Sequence, residues 1–183
     1  MTVFYLTLLS VYIFSLIARI VRENHKNLAW IFVVIVILIL TLVSGLRSGI
    51  GDTYMYEHLY SLIVPDFNSD GYEPGFILLL KGLKYISDES IFMLLVTSAI
   101  INMLNIISLY IFTEDGYFEI AVFLYIASGY YTTTMNGLRQ SLAASFIFLA
   151  TIFIIKKKFI LYLTTIVLMI TIHNSAFIMI PIY

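Results

Sequence analysis

Long apolar runs separated by short polar clusters dominate the chain. Six runs approach the length of a transmembrane helix, and they cover residues 3–18, 28–46, 90–112, 117–134, 138–155 and 159–183. A helix needs about 20 apolar residues to cross about 30 Å of hydrocarbon. The pattern therefore predicts an all-α protein, a polytopic transmembrane helical bundle with about six spans.

Basic residues between the runs predict the orientation of the spans. Arg19, Arg22 and Lys26 lie between the first two runs, and a triple lysine at 156–158 lies between the last two. Lysine and arginine are enriched in cytoplasmic loops of membrane proteins. This bias predicts that the N-terminus and the segment after residue 46 face outward.

The segment 47–89 is the longest stretch without a clear span. It is predicted to be an outer loop that carries one or two interfacial or re-entrant helices. Within it, residues 53–64 alternate aromatic and polar side chains at near-helical spacing, which is typical of a helix at the membrane surface. Four acidic residues are expected to be solvated and without a chemical role: Asp66, Asp70, Asp88 and Glu89.

The run Pro74–Ile86 has two interpretations, and the choice inverts every later loop. Its length is only about 20 Å as a helix, which favours a re-entrant or interfacial helix over a short crossing. Both interpretations place six lysines and arginines inside and four outside, so the count of basic residues does not decide between them. The short length and the dense basic cluster at 156–158 favour re-entrance. That choice puts the end of the last run on the outer side, together with Arg47, Asp52, Glu73 and Arg139.

Composition agrees with a membrane protein and excludes several classes of function. Hydrophobic residues make up 61% of the chain and charged residues 11%, with a mean hydropathy of +1.00. A net charge of −1 gives no basic field, so no nucleic acid partner is expected. Cysteine is absent, and no two histidines have the spacing of metal ligands, so neither a metal nor another cofactor is predicted.

Arg139 is the most informative charge because it lies at the start of an apolar run, just after a predicted helix break at Gly137. An unpaired charge at mid-membrane costs about 2.5 kcal/mol or more, so an interfacial anchor is one interpretation. However, Asn136, Arg139 and Gln140 follow helical spacings and predict one polar face. Small residues on the same helix favour close packing, with the guanidinium inside the bundle and suited to phosphate.

Four other polar residues are candidates that also have structural interpretations. Arg47 precedes a glycine-rich turn at 49–51, where the backbone can approach a ligand closely. Asp52 is either a helix cap or a catalytic carboxylate. Glu73 precedes a proline, so it is either a carboxylate favoured by a helix dipole or a catalytic group. His173 is expected within the hydrocarbon, as a polar bridge or as a proton acceptor.

The order of four short motifs resembles the EpsG family of bacterial exopolysaccharide proteins, which belongs with the Wzy-type O-antigen and capsule polymerases. The motifs are LRSGIGDTYMY at 46–56, YEPGF at 72–76, NGLRQSLA at 136–143 and HNSA at 173–176. By motif, Arg47 and Asp52 match the first signature and Glu73 the second. Asn136, Arg139 and Gln140 match the third signature, and His173 matches the last.

The resemblance implies a glycosyltransferase-type polymerase of the bacterial cytoplasmic membrane, with its active face outward. Its implied substrate is an oligosaccharide repeat unit on a polyprenyl diphosphate, and its other implied partners are the lipid bilayer and further polysaccharide assembly proteins. The implied fold is similar to GT-C transferases. The resemblance assigns diphosphate and sugar binding to four residues: Arg47, Arg139, Asn136 and Gln140. It assigns catalysis to Asp52, Glu73, Arg139 and His173.

Two further expectations concern the whole chain. Polymerases of this kind have about twice as many residues. Residues 1–183 are therefore expected to be a single transmembrane domain, the N-terminal part or a truncated form of a longer polymerase. Half of the active site would then be absent, so this part is expected to be inactive alone. The alternative function is a non-enzymatic membrane subunit that exports, flips or scaffolds lipid-linked sugars. Asn102 and Asn105 could supply part of a polar path for it, although amides also hold helices together.

Overall fold

Helices account for nearly all of the structure. The computed structural model describes residues 2–64, 71–113 and 116–183. Within these ranges the chain is 80% helical and has no strand, which confirms the all-α prediction. The predicted loop residues Asp66 and Asp70 lie outside the described residues. Asp88 and Glu89 lie in the connection that precedes Ser90.

The helices follow the order of the apolar runs, with breaks that the runs did not show. In the described ranges they are α1 (Thr2–Arg22), α2 (Lys26–Gly45), α3 (Thr53–Leu62), α4 (Pro74–Ile86), α5 (Ser90–Phe112), α6 (Phe118–Ala127), α7 (Tyr130–Thr133), α8 (Leu138–Ile155), α9 (Phe159–Ile170) and a final 3₁₀ helix (Asn174–Ile182).

Four of these helices, α1, α2, α5 and α8, are long and apolar enough to cross a membrane. Helices α6 and α9 are apolar but shorter. The predicted span at 117–134 is interrupted after Ala127, where Gly129 takes a positive φ of 84°. Six uninterrupted spanning helices are therefore not observed in the described part of the chain.

The predicted span at 159–183 is also interrupted, and there the chain reverses. Helix α9 ends at Ile170, and the 3₁₀ helix runs back along it. The Tyr162 hydroxyl donates to the Met179 carbonyl at 2.8 Å, and the rings of Phe159 and Tyr183 lie 5.0 Å apart. The expectation that the end of this run lies on the outer side, with Arg139, was wrong. The polar residues at 171–175 interrupt the apolar run and allow the turn.

One end of the bundle gathers the helix termini that carry the candidate residues. The end of α2 meets the first turns of α5, since Arg47 donates to the Ser98 hydroxyl at 3.2 Å. Helices α5 and α8 run side by side in the same direction, because Asn105 contacts Ser145 at 3.0 Å and, further along both helices, the rings of Phe112 and Phe148 lie 5.6 Å apart. We call the end formed by the C-terminus of α2 and the N-termini of α5 and α8 the Arg139 end.

Helix α4 stays at the Arg139 end. Its first turn packs against α3, with the rings of Phe76 and Tyr56 5.9 Å apart. Just after its last turn, the Ser87 carbonyl accepts a hydrogen bond of 2.7 Å from the Tyr60 hydroxyl of the same helix α3. Both ends of α4 therefore lie against one short helix, and this arrangement favours the interfacial or re-entrant interpretation over a crossing.

The N-terminus of α4 meets the C-terminus of α9. The backbone N–H groups of Gly75 and Phe76 donate to the Thr171 carbonyl at 2.8 and 3.3 Å. These contacts satisfy backbone groups that a helix end leaves without partners. A Cβ on Gly75 would clash with the hydroxyl and carbonyl oxygens of Thr171, so only glycine permits this approach.

Two glycines of α4 provide a matched test of this contact. We expect Gly75→Ala to lower the thermal unfolding midpoint of the detergent-solubilised protein, because the new methyl group overpacks Thr171 at a cost of about 1–3 kcal/mol. Gly82→Ala meets no atom within 4 Å and should leave the midpoint equal or higher, since alanine favours a helix. Equal effects of the two substitutions would contradict the end-to-end packing of α4 and α9.

Candidate functional site

A buried carboxylate forms the centre of the Arg139 end. Glu73 precedes α4, and its side chain is only 9% exposed. One of its oxygens accepts a hydrogen bond from Nη1 of Arg139. The other lies 3.2 Å from Nδ1 of His173 and accepts the Asn174 N–H at 3.2 Å. Glu73 thus joins the N-termini of α4, α8 and the 3₁₀ helix.

Glu73 stands at the N-terminus of α4, as the sequence interpretation predicted. Its side chain makes no hydrogen bond that caps α4, its own helix. It binds the first N–H of the 3₁₀ helix instead. The Glu-Pro-Gly motif therefore has three structural functions: a carboxylate for its partners, a proline that opens α4, and a glycine that lets α9 approach.

Arg139 lies in the first turn of α8 with its guanidinium directed toward Glu73. Its Cζ atom is 5.0 Å from the centre of the Tyr72 ring and 5.9 Å from that of Phe76. The side chain is 21% exposed, and its Nε is buried without a hydrogen-bond partner among the described residues. The guanidinium is thus held by a carboxylate and aromatic rings, and retains one buried donor for another acceptor.

The surroundings of Glu73 keep it ionised. Burial alone would raise the pKa of the carboxyl, but the Asn174 N–H and the positive charge of Arg139 outweigh burial and hold the pKa below its usual range. A carboxylate of this kind is a weak proton acceptor. Its contact with His173 can instead orient the imidazole, because an Nδ1–H donated to Glu73 leaves the Nε2 lone pair free.

Arg47 occupies a separate buried position and is only 6% exposed. Its Nε donates to the Thr53 hydroxyl at 3.0 Å, and its Nη1 donates to the Ser44 carbonyl at 2.6 Å and to the Ser98 hydroxyl at 3.2 Å. Its Nη2 is buried without a partner among the described residues. The guanidinium therefore ties the end of α2 to α3 and α5.

Asp52 and Asn136 come together, although 84 residues separate them. The Asp52 N–H donates to Oδ1 of Asn136 at 3.1 Å. A Cβ on Gly51, whose φ is 53°, would lie 2.5 Å from the same oxygen. Asp52 stands just before α3, but its side chain makes no hydrogen bond that caps the helix, and it is partly exposed.

The predicted polar face of Asn136, Arg139 and Gln140 is not present as one helical face. Gly137 takes a φ of 63° and α8 begins at Leu138, so Asn136 lies outside the helix. The left-handed glycine turns the chain, and Asn136 contacts the loop of Asp52 instead. Gln140 is exposed and lines a large groove beside α8.

Sequence reasoning missed two aromatic residues of this site. Tyr72 lies under the guanidinium of Arg139, and Tyr56 packs against Phe76, the second ring beside that guanidinium. Both tyrosines stand inside motifs quoted above, directly before Glu73 and at the end of LRSGIGDTYMY. Among the described residues, no group of three or more histidine, aspartate or glutamate side chains could hold a metal ion.

The low pKa of Glu73 makes protein stability depend on pH. Because the pKa is lower in the folded protein than the ordinary 4.5, the ionised carboxylate stabilises the fold above that value. This stabilisation should be lost as the pH falls through the folded pKa. We expect the thermal unfolding midpoint to drop below pH 4.5 in the parent protein.

Two variants separate Glu73 from the other carboxylates. Glu73→Gln should unfold at a lower temperature at neutral pH, because loss of one partner of a buried ion pair costs about 3–5 kcal/mol, and it should show a smaller acid-induced drop. Asp88→Asn removes an ion-paired carboxylate that is 88% exposed and should retain the parent profile. Identical pH profiles of Glu73→Gln and the parent protein would contradict this assignment.

Two glycines with positive φ test the contact between Asp52 and Asn136. Gly49 and Gly51 have φ values of 65° and 53°, so alanine strains the backbone at both. Only at Gly51 does the added methyl meet Asn136, whereas nothing lies within 4 Å at Gly49. We expect Gly51→Ala to lower the thermal midpoint more than Gly49→Ala, and equal losses would show that the contact does not stabilise the loop.

Comparison with known proteins gives the family of the chain. The family model described as the EpsG family matches residues 30–183, which include all four motifs and every residue of the site described above. No curated protein and no solved structure matches. Family membership suggests a function related to exopolysaccharide. The chain belongs to the EpsG family.

Proposed function

We propose that this chain is a membrane polysaccharide polymerase. It joins oligosaccharide repeat units carried on polyprenyl diphosphate at the outer face of the bacterial cytoplasmic membrane. The observation that carries the proposal is the meeting of Arg139, Glu73 and His173 at one end of an apolar helical bundle, in a chain of the EpsG family.

The reaction transfers the glycan from its diphosphate carrier to a sugar hydroxyl of a second repeat unit. The hydroxyl oxygen forms a bond to the anomeric carbon, and the bond from that carbon to the diphosphate oxygen breaks. The electron pair leaves with the diphosphate, and the hydroxyl proton passes to a base. Negative charge therefore grows on the diphosphate, so the site needs a fixed cation and a base.

Arg139 supplies the fixed cation. Its guanidinium is held by Glu73 and the Tyr72 ring, so it does not have to reorganise when charge develops on the diphosphate. Its buried Nε has no partner among the described residues and offers a further donor to an oxygen of the leaving group. Interactions that strengthen as that charge grows lower the barrier.

Two groups can accept the proton of the attacking hydroxyl. His173 is the first, because its contact with Glu73 leaves Nε2 available as a base. Asp52 is the second, since its carboxylate is partly exposed and its backbone is fixed against Asn136. Glu73 positions Arg139 and His173, because its low pKa makes it a poor base.

The remaining predicted residues surround these groups. Gln140 is exposed beside Arg139 and offers an amide to sugar hydroxyls. Asn136 connects the segment before α8 to the loop of Asp52. Arg47 is buried among three hydrogen-bond partners, so we assign it to positioning of the first loop and not to direct contact with the diphosphate.

Three finer points belong to the same proposal. Of the six predicted crossings, α6 with α7 would count as one interrupted crossing, whereas α9 with the 3₁₀ helix forms a hairpin that returns to the side where it begins. The likeness to GT-C transferases rests on an acidic outer loop that is followed by an interfacial helix. Other polysaccharide assembly proteins are proposed partners, and the reaction as written needs no cofactor.

An exchange of arginine for lysine tests the role of Arg139. We expect Arg139→Lys to extend a lipid-linked repeat unit about 100-fold more slowly than the parent, because lysine keeps the charge but lacks the planar fork. Lys156→Arg is the matched control, since it makes the reverse exchange at an exposed residue after the last turn of α8, at the opposite end of the bundle. Extension is measured as polymer length on gels, in proteoliposomes that contain the purified protein.

Three results would contradict the proposal or a part of it. Unchanged extension by Arg139→Lys, with a parent-like thermal midpoint, would show that the guanidinium does not act on the diphosphate. Purified parent protein that binds the lipid-linked unit but extends it only after a second protein is added would favour the non-enzymatic subunit. A label beside Gly137 that reacts only from the cytoplasmic side would remove the site from the outer face.

A further inference from the structure

The end of the bundle opposite the Arg139 end carries a polar pocket lined by basic side chains. Its volume is about 580 Å³, and it lies where α1 ends, α2 begins and the chain passes from α5 to α6. Three cations and one carboxylate line it: Arg19, Arg22, Lys26 and Glu23. The proposed transfer reaction uses none of these residues.

Arg22 is held in a fixed position at this pocket. Its Nη1 donates to the Tyr110 carbonyl at 2.9 Å, and its Cζ lies 4.1 Å from the centre of the Tyr110 ring. Phe118 supports that ring, with 5.1 Å between the two ring centres. Arg22 has no carboxylate partner in the part of the chain that the structure describes. Since a guanidinium has five N–H donors, its other donors are available to an anion in the pocket.

The other charges leave the pocket with an excess of positive charge. Arg19 is paired, because its Nε lies 3.0 Å from the carboxylate of Glu119, whose side chain is 7% exposed. Lys26 is exposed and, like Arg22, has no carboxylate partner in the described ranges. Glu23 is exposed and offsets one of these two charges. The described lining therefore attracts an anion.

The position of the pocket along the helices indicates the source of that anion. Helix α1 has 21 residues and a length of about 30 Å, so its last turn, with Arg19 and Arg22, lies where a spanning helix leaves the hydrocarbon. Trp30 packs against Tyr110 and is 39% exposed, and tryptophan is enriched at the membrane–water interface. Ile20, which follows Arg19, is 55% exposed. The pocket thus lies at the depth of lipid phosphates, with exposed apolar surface beside it.

We propose that this pocket binds the phosphate group of an anionic phospholipid such as phosphatidylglycerol. Arg22 and Lys26 donate to the phosphate oxygens, and the acyl chains lie against the exposed apolar side chains beside the pocket. A fixed guanidinium suits phosphate because its planar fork can donate to two oxygens. Basic pockets between membrane helices are known to bind anionic head groups. The inference goes beyond the proposed function and does not depend on it.

Trp30 is the only tryptophan of the chain, so its fluorescence reports on this lipid. Its ring lies 4.8 Å from the Tyr110 ring that holds Arg22. The purified protein is reconstituted into phosphatidylcholine vesicles that contain an increasing fraction of lipid with brominated acyl chains, which quench tryptophan. Brominated phosphatidylglycerol should reach half-maximal quenching at about fivefold lower fraction than brominated phosphatidylcholine. Equal quenching by the two lipids would overturn the inference.

Three variants test the pocket itself. Arg22→Gln should remove most of the preference for phosphatidylglycerol, whereas Glu23→Gln should increase it, because Glu23 is exposed and repels the phosphate. Lys156→Gln is the matched control, since it removes an exposed positive charge at the same end of the bundle but outside the pocket lining. Equal losses in Arg22→Gln and Lys156→Gln would show general attraction to a basic surface and overturn the pocket. Each variant is compared in both lipids, so a general change of its fluorescence does not imitate a lost preference.

Two other occupants give different results. Inorganic phosphate in the buffer should leave the quenching by brominated phosphatidylglycerol unchanged, and full relief of quenching would show a site for soluble phosphate instead. Glu114 and Asp115 lie outside the described residues. A lipid preference that is absent from the parent protein and appears in the double variant Glu114→Gln with Asp115→Asn would show that the chain supplies its own anion, which would overturn the proposal.

Discussion

The structure depends on one buried carboxylate. Glu73 is satisfied only when Arg139, His173 and the Asn174 N–H surround it, and these groups come from α8 and from the turn after α9. Removing a carboxylate from water costs several kcal/mol, which the fold recovers only if the partners are all in place. The N-termini of α4, α8 and the 3₁₀ helix are therefore coupled, and no one of them can take its position alone.

The same coupling makes the interrupted helices possible. In a hydrocarbon environment, backbone N–H and C=O groups need partners within the protein, so a broken helix is tolerated only where other groups supply them. At the end of α9, the Thr171 carbonyl accepts two N–H groups of α4, and the Asn174 N–H finds Glu73. The chain can thus reverse beside the bundle and place His173 in the site.

The apolar pattern predicted the helical class and the long spans, because both follow from local properties of the chain. It missed the reversal at residues 171–173, since the residues that follow are as apolar as a spanning helix. It also extended the face of α8 back to Asn136, across a glycine whose positive φ ends the helix. Both errors arise where a tertiary contact, and not the periodicity of apolar residues, determines the backbone conformation.

The candidate residues could be chosen from sequence because charge is rare in this chain, but their meeting could not be derived. Sixty-six residues separate Glu73 from Arg139, and one hundred separate it from His173. No local pattern reports contacts over such separations. Motif order supplied the grouping instead, and the structure gives it a physical basis in shared hydrogen bonds. Asp52 contacts Asn136 beside this cluster, and the separation of 84 residues between them makes that contact equally invisible to local patterns.

The ion pair with Glu73 has a consequence for the proposed chemistry. A guanidinium already paired with a carboxylate attracts a bound diphosphate less strongly than a free one would, since the two charges largely cancel at a distance. Weak attraction of the diphosphate before the reaction does not reduce the rate of the chemical step. Only binding that grows as the sugar leaves the diphosphate lowers the barrier, and in the proposed reaction the fixed donors of Arg139 would meet that growing charge at short range.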